Sequence, residues 1–414
     1  MRVLLLSWEY PPVIEGGLGR HVRKLSEELV RAGVEMHVLT RGSGQERDHA
    51  PQQGGSSAAG GGRHHHEERH GVLVHRVCEP PFPRDTGRFM RWVERMNEHM
   101  SARALGLLSR VDFDLIHSHD WLVAVAAEQL TRTSRLPWLC TIHATEYGRH
   151  QGSVDQPPQA LIHAREQAMA RRADRLITCS QYMREHVARV FGVARRKVTV
   201  IPNGIDPLEF EEVAPALPTL RARFAAPDEL LVLLIGRLAY EKGFHLALDA
   251  LASVIRRRRG VRFVVAGSGT AEQELKRQAA ELGLSNHGTF LGWVGDEMLR
   301  ALYHASDLCV VPSIYEPFGL VALEAMASGC PCIVADTGGL REVVAGDETV
   351  ALRFPAGDSE ALRLLLERML SDDEARARLA LRAREHVLRF AWREVAQRTL
   401  HVYRALIPHA PAVR

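Results

Sequence analysis

Cysteine is scarce, with six in 414 residues. Cys78, Cys140, Cys179, Cys309, Cys330 and Cys332 are scattered, several inside apolar runs, and Cys330-Pro331-Cys332 has no second pair at metal-ligand spacing. This excludes a disulfide framework and a cysteine-rich zinc module; the thiols read as reduced core residues of a cytosolic protein. No apolar run approaches the ~18 residues that would read as a membrane span. The only apolar run at the N-terminus, Val3 to Leu6, reads as a strand rather than a signal peptide. Charge of one sign is also lacking. A net charge of +3 supplies no electrostatic case for a nucleic-acid partner. The basic run Arg256 to Arg259 reads as the solvated end of a helix, with an anionic acceptor or lipid head group as the alternative. A complete G-x-G-x-x-G after a strand is missing too. Gly17-x-Gly19-x-x-Val22 lacks the third glycine, which disfavours a nicotinamide dehydrogenase.

The length predicts two domains of about 200 residues each. Val3 to Leu6 is a buried strand, followed by a loop from Glu9 that ends in Gly16-Gly17-Leu18-Gly19. Val22, Leu25, Leu29 and Val30 mark a helix over 20–31, and 34–40 is the next strand, so the chain opens as a βαβ unit. Residues 45–70 are low in complexity and carry His64-His65-His66; they read as a flexible insertion between strands, with a metal site as the lesser alternative. A strand at 72–77 and a long helix at 88–109 follow. Asp112-Phe113-Asp114 has the form of a metal-binding D-x-D, but it precedes a strand and reads as turn chemistry. The next strand ends in His117-Ser118-His119-Asp120-Trp121, and 138–142 ends in Thr141-Ile142-His143. A histidine at the carboxyl end of a strand lies on the ligand side of an open sheet. Helices at 160–172 and 181–190 flank a strand at 175–179, and Ser180 is a good N-cap. The first half closes on Ile201-Pro202-Asn203-Gly204-Ile205-Asp206.

The second half starts afresh with a strand at 230–235, then Gly236-Arg237 through Lys242-Gly243 and a helix over 244–258. Strands at 261–266 and 308–311 lead to Pro312-Ser313-Ile314-Tyr315-Glu316-Pro317-Phe318-Gly319-Leu320, and a helix that reaches Met326. Pro317 is well placed as the first helical residue. On that reading Glu316 and Glu324 lie about 12 Å apart along the axis and roughly 80° around it. Phe318, Gly319 and Leu320 would then offer free amides to an anion. Arg237 and Lys242, five positions apart at a strand end, form a natural anion cradle or, more plainly, two surface cations, one paired with Glu241. The tail, 372–406, reads as two helices.

The Glu316-to-Glu324 string, with its Gly-x-Pro exit, resembles the donor-site motif of the retaining glycosyltransferases of family 4, which include glycogen and sucrose-phosphate synthases. Thr141-Ile142-His143, the Gly16-Gly17 loop and the Ile201-to-Asp206 junction are similar to the same family, so the likeness covers nearly the whole chain. It implies an α/β GT-B fold: two Rossmann-like domains, 1–206 and 207–388, facing a central cleft, with the last helix (about 389–414) crossing back to the first domain. It also implies transfer of a sugar, glucose above all, from a nucleoside-diphosphate sugar to a carbohydrate acceptor such as an α-glucan, with retention and with no metal or other cofactor. The acceptor could instead be a lipid or small molecule, with peripheral membrane contact, or the protein could bind a nucleotide sugar without catalysis. By the resemblance Arg237 and Lys242 hold the diphosphate, Glu316 the donor sugar and Glu324 the ribose. Phe318, Gly319 and Leu320 contact sugar and phosphate, and Trp293 borders the base. His143 approaches the reacting carbon, Gly17 faces phosphates or acceptor, and Glu9 and Asp120 contact the acceptor. One departure stands out: Ile14 and Glu15 occupy the place where many glycogen synthases carry a lysine.

Overall fold

The computed structural model describes all residues except 15, 43–65, 79–82, 84–85, 212–216, 345–348 and 408–414. By internal contacts the chain divides into two units, Met1–Cys179 with Arg184–Ile201 and Trp392–Arg414, and Ser180–Met183 with Pro202–Ala391. In each unit, short runs of Val, Leu and Ile bounded by polar turns are too short for buried helices and become the strands of one parallel sheet.

The strands of the first unit are β1 (Arg2–Leu6), β2 (Glu35–Arg41), β3 (His66–Arg69), β4 (Val72–Val77), β5 (Leu115–His119), β6 (Trp138–Ile142), β7 (Arg175–Thr178) and β8 (Val198–Val200). They run in the order β3-β4-β2-β1-β5-β6-β7-β8, parallel throughout except for the antiparallel edge pair β3/β4. The second unit holds β9 (Leu230–Ile235), β10 (Val261–Ala266), β11 (Gly288–Gly292), β12 (Leu308–Val311), β13 (Cys332–Asp336) and β14 (Leu352–Pro355), in the order β11-β10-β9-β12-β13-β14. Both sheets reverse direction of growth beside their first strand. The crevices at the carboxyl ends of β1/β5 and β9/β12 are therefore where a doubly wound sheet binds ligands.

The helix Trp392–Leu406 belongs to the first unit. Its Val395, Ala396, Leu400, Val402 and Tyr403 join Val3, Leu5, Val22, Leu25 and Leu29 in one buried cluster. Each Val or Leu among them contributes on the order of 1.5–3 kcal/mol by leaving water. Burial of this stripe explains why an amphipathic tail helix docks. The second core gathers Val232, Leu234, Phe244, Leu248, Leu251, Phe263, Val265 and Val310.

Two expectations are corrected. Residues 66–69 of the low-complexity stretch form an edge strand, with Arg76 bonded to Glu67 across the β3/β4 pair; His64 and His65 lie outside the described residues. The helix after β12 spans Leu320–Ala327, not from Pro317 onward. Gly319 caps it at φ +115°, in left-handed backbone space that a side chain would strain, and 312–319 is loop. The helical spacing calculated for Glu316 and Glu324 therefore does not apply. Asp114 accepts the Arg2 amide at 2.7 Å, a turn contact at the amino end of the sheet, far along the strands from the ligand edge. Cys78 is exposed and the other five cysteines are buried, all of them free thiols. No described helix is long and apolar enough to cross a membrane.

Gly243, between the turn carrying Lys242 and the helix Phe244–Arg257, sits at φ +67°, and an added Cβ would lie 2.0 Å from the Pro312 carbonyl oxygen. The missing side chain lets the β9 loop close on the β12 loop. Gly243→Val is expected to cost about 2–5 kcal/mol, from backbone strain and overpacking together. Chemical denaturation followed at Trp293 reads that loss, and an unchanged midpoint would refute the close-approach argument.

Candidate active site

In the second unit, Lys242 follows β9 and Glu316 follows β12, adjacent strands whose carboxyl ends share the crevice. Lys242 Nζ donates to Glu316 Oε2 at 2.7 Å, and Ser313 Oγ donates to the same oxygen at 3.2 Å. The Glu316 side chain is 10 % exposed and that of Lys242 23 %. The loop bearing Glu316 is pinned on both sides. Glu241 accepts the amides of Ile314 and Tyr315 on its backbone carbonyl, and the Gly339 amide donates to the Glu316 carbonyl at 2.8 Å. Arg237 is half exposed and forms an ion pair with the buried Glu241. Of the two cations, Arg237 pairs with Glu241, while Lys242 is tied to the motif glutamate.

The amides of Phe318, Gly319 and Leu320 have no acceptor among the described residues, although Phe318 and Gly319 are buried. Buried amides are nearly always bonded, so a run of three open ones is an anion-shaped gap in the bonding. The Phe318 ring packs edge-on to Phe390 in the interior, leaving its backbone for a ligand. Glu324 is buried and accepts the Tyr303 hydroxyl at 2.9 Å. Trp293, past the end of β11, is 66 % exposed.

In the first unit, the loop after β1 does not offer all its amides. Glu9 is buried, and its Oε2 accepts the amides of Gly16 (3.1 Å) and Gly19 (3.2 Å) at the start of the helix Gly17–Arg31. A carboxylate is well placed there against the helix dipole. Glu9 thus builds the loop that presents Gly17. Asp120 also turns inward. It sits at φ +58°, and its Oδ1 accepts the His143 amide at 2.8 Å. Burial raises its carboxyl pKa to about 6, against the pull of the bonds from the His143 and Ala144 amides. Both residues assigned to an acceptor thus bond backbone amides of their own unit.

His143 stands in a cluster of imidazoles. Its Nε2 lies 3.0 Å from His119 Nδ1. His117 links Tyr403 Oη (2.7 Å) and Thr141 Oγ1 (2.8 Å), and His21 meets His143 edge to face at 4.6 Å between centroids. Burial drives the pKa of His117 down to about 3 and of His143 to about 4, and holds His119 well below the usual imidazole range. The rings are neutral at neutral pH, available as acceptors or metal ligands. The sequence carried a signal for this cluster. His117 and His119 alternate with Ser118 along β5, so both project from one face. Ser313 and Tyr303 gave no comparable sign, because nothing local ties either to a glutamate.

Comparison with known proteins follows the same division. Residues 15–208 match the model of Glycosyltransferase Family 4, and residues 218–386 that of Glycosyl transferases group 1. The chain is 38 % identical over 416 aligned residues to a glycogen synthase of Mycobacterium tuberculosis, covering 98 % of this chain and 95 % of that protein. It is 31 % identical to a D-inositol 3-phosphate glycosyltransferase of Saccharomonospora viridis, with 97 % and 94 % covered. Among solved structures, a sucrose-phosphate synthase from Thermosynechococcus elongatus superposes with a TM-score of 0.80 at 27 % identity, covering 99 % of this chain and 100 % of that one. The protein is a glycosyltransferase of family 4, with the GT-B fold.

Proposed function

We propose that the protein moves a glucosyl group from a nucleoside-diphosphate glucose to an α-glucan acceptor, with retention of configuration and without a metal ion. The observation that carries this reading is the Lys242–Glu316 pair beside the three open amides at 318–320. A fixed ammonium and oriented N–H groups stabilise the diphosphate as its charge grows. The Glu316 carboxylate is left with acceptor capacity for sugar hydroxyls, and Glu324, held by Tyr303, has the same capacity for a ribose. In the reaction, an acceptor hydroxyl oxygen bonds to the anomeric carbon on the face from which the phosphate leaves. The bond from that carbon to the phosphate oxygen breaks, and that oxygen takes the acceptor's proton. The glycogen-synthase relative supports the glucan acceptor. Buried, reduced thiols fit the cytoplasm as its location.

Thermal shift across UDP-, ADP- and GDP-sugars tests the donor. One base is expected to dominate, and a ligand at a hundred times its Kd adds about 2.7 kcal/mol by mass action. NMR of the product from that donor and a maltooligosaccharide should show a new α-linkage. Absence of stabilisation by any nucleotide sugar would overturn the reading. A phosphorylated small-molecule acceptor is the second reading, favoured by the inositol-phosphate relative; transfer to such an acceptor, with none to glucan, would decide for it.

A further inference from the structure

Sugar transfer asks for one histidine at the carboxyl edge of the first sheet, and the fold gathers several. We propose that His21, His119 and His143 form a binding site for a late first-row divalent ion, Zn2+ foremost. One ring nitrogen from each lies within 4.8 Å of the other two. Tetrahedral zinc, with Zn–N near 2.0–2.1 Å, sets its ligand nitrogens about 3.3–3.4 Å apart. His119 Nδ1 and His143 Nε2 already stand 3.0 Å apart. The remaining separations close by at most about 1.5 Å to reach that geometry. The His21 ring stands edge-on to His143, 4.6 Å between centroids.

With Nδ1 turned towards the ion, His119 carries its proton on Nε2, which is buried and has no hydrogen-bond partner among the described residues. The ligand set is also selective. Three imidazoles and no carboxylate suit zinc, nickel or copper and not magnesium or calcium. The rings stand on strand ends and a helix, and Asp120 holds the His143 backbone from behind, so the site is supported rather than loose. Three protein ligands leave a fourth position for solvent.

The binding does not rest on the transfer reading. Its consequence does: an ion on His143 removes that ring from the donor sugar, so Zn2+ inhibits transfer.

The test uses full-length protein in which His64, His65 and His66 are replaced by alanine, which removes the competing histidine run. Titrated Co2+ is expected to give the visible d–d absorption of a tetrahedral site at one equivalent. Zn2+ should bleach it and Mg2+ should not. His21→Gln and His119→Gln should each weaken binding at least about tenfold. Far-UV circular dichroism checks the fold, and His21→Gln carries the test if His119→Gln does not fold. No tetrahedral spectrum in the His64-to-His66 variant, or a spectrum unchanged by His21→Gln, would overturn the proposal. Because the readout is spectroscopic, it stands or falls whether or not the enzyme transfers glucose.

Discussion

Lys242→Met is expected to lower kcat/KM for sugar transfer by about 10²–10³, the loss typical of removing one preorganised electrostatic contact to a transition state. Glu316→Gln should cost a similar factor, because the neutral amide accepts sugar hydroxyls less strongly and lets go of Lys242. The two residues share one contact at 2.7 Å, so their effects should not add. In the double variant the combined loss is expected to fall short of the product of the singles by about fivefold or more, a coupling of at least ~1 kcal/mol. Steady-state kinetics on the donor identified by thermal shift supplies the numbers, with circular dichroism confirming that each variant is folded. Effects that multiply, or a Lys242→Met enzyme within a factor of three of the parent (roughly 0.6 kcal/mol), would remove the pair from the site.

Acid is the second large expectation. His117, His143 and His186 have folded pKa values pushed down to about 3, 4 and 4 from 6.5, in each case chiefly by burial. A base whose folded pKa is depressed is neutral in the native state and charges on unfolding. Its contribution is therefore fully present above pH 6.5 and is lost as pH falls from 6.5 towards 3–4. Each such group removes up to about 1.4 kcal/mol per pH unit in that window. Asp120 works the other way. Its carboxyl is raised from 3.8 to about 6, again by burial, so it favours the folded state below pH 4 and loses that contribution as pH rises through 6. Glu166, buried beneath the Glu146 amide, is raised in the same sense. The histidines outnumber these acids, and His119 adds to them. The first unit is thus expected to lose several kcal/mol between pH 6.5 and pH 5, of the order of a single domain's whole stability. Five of the six tryptophans, Trp8, Trp92, Trp121, Trp138 and Trp392, belong to that unit, so tryptophan fluorescence in urea reports on it. His117→Gln should reduce the slope of stability against pH by up to about 1.4 kcal/mol per unit. A urea midpoint that does not move between pH 6.5 and 5 would show that the imidazoles are not held neutral by burial.

How much of the site could be read in advance depended on the range of the interactions. Arg237, Lys242, Glu316 and His143 all stand where a strand gives way to a loop, and an apolar run followed by polar residues announces that place. The carboxylates were harder. Glu9 and Asp120 sit in polar clusters at strand ends, as a substrate contact would, yet both bind backbone amides of their own unit. Identical residue types serve both tasks, and only the direction of the side chain separates them. Pro317 is a sound helix starter by local preference. Here the motif loop is held to Glu241 and Gly339 instead, and those bonds delay the helix until Leu320.

The order of strands and helices, the two βα-rich halves and the edge of each sheet that carries the polar residues were determined by the sequence alone. These follow from short-range periodicity, from turn residues and from a crossover handedness that leaves few arrangements open. Tertiary structure alone decided that Lys242 pairs with Glu316 across 74 positions, that Tyr303 holds Glu324, and that His21, His119 and His143 meet. Contacts between distant positions are created by sheet order and packing, and nothing in a local run of residues encodes which partner a buried charge or imidazole will find.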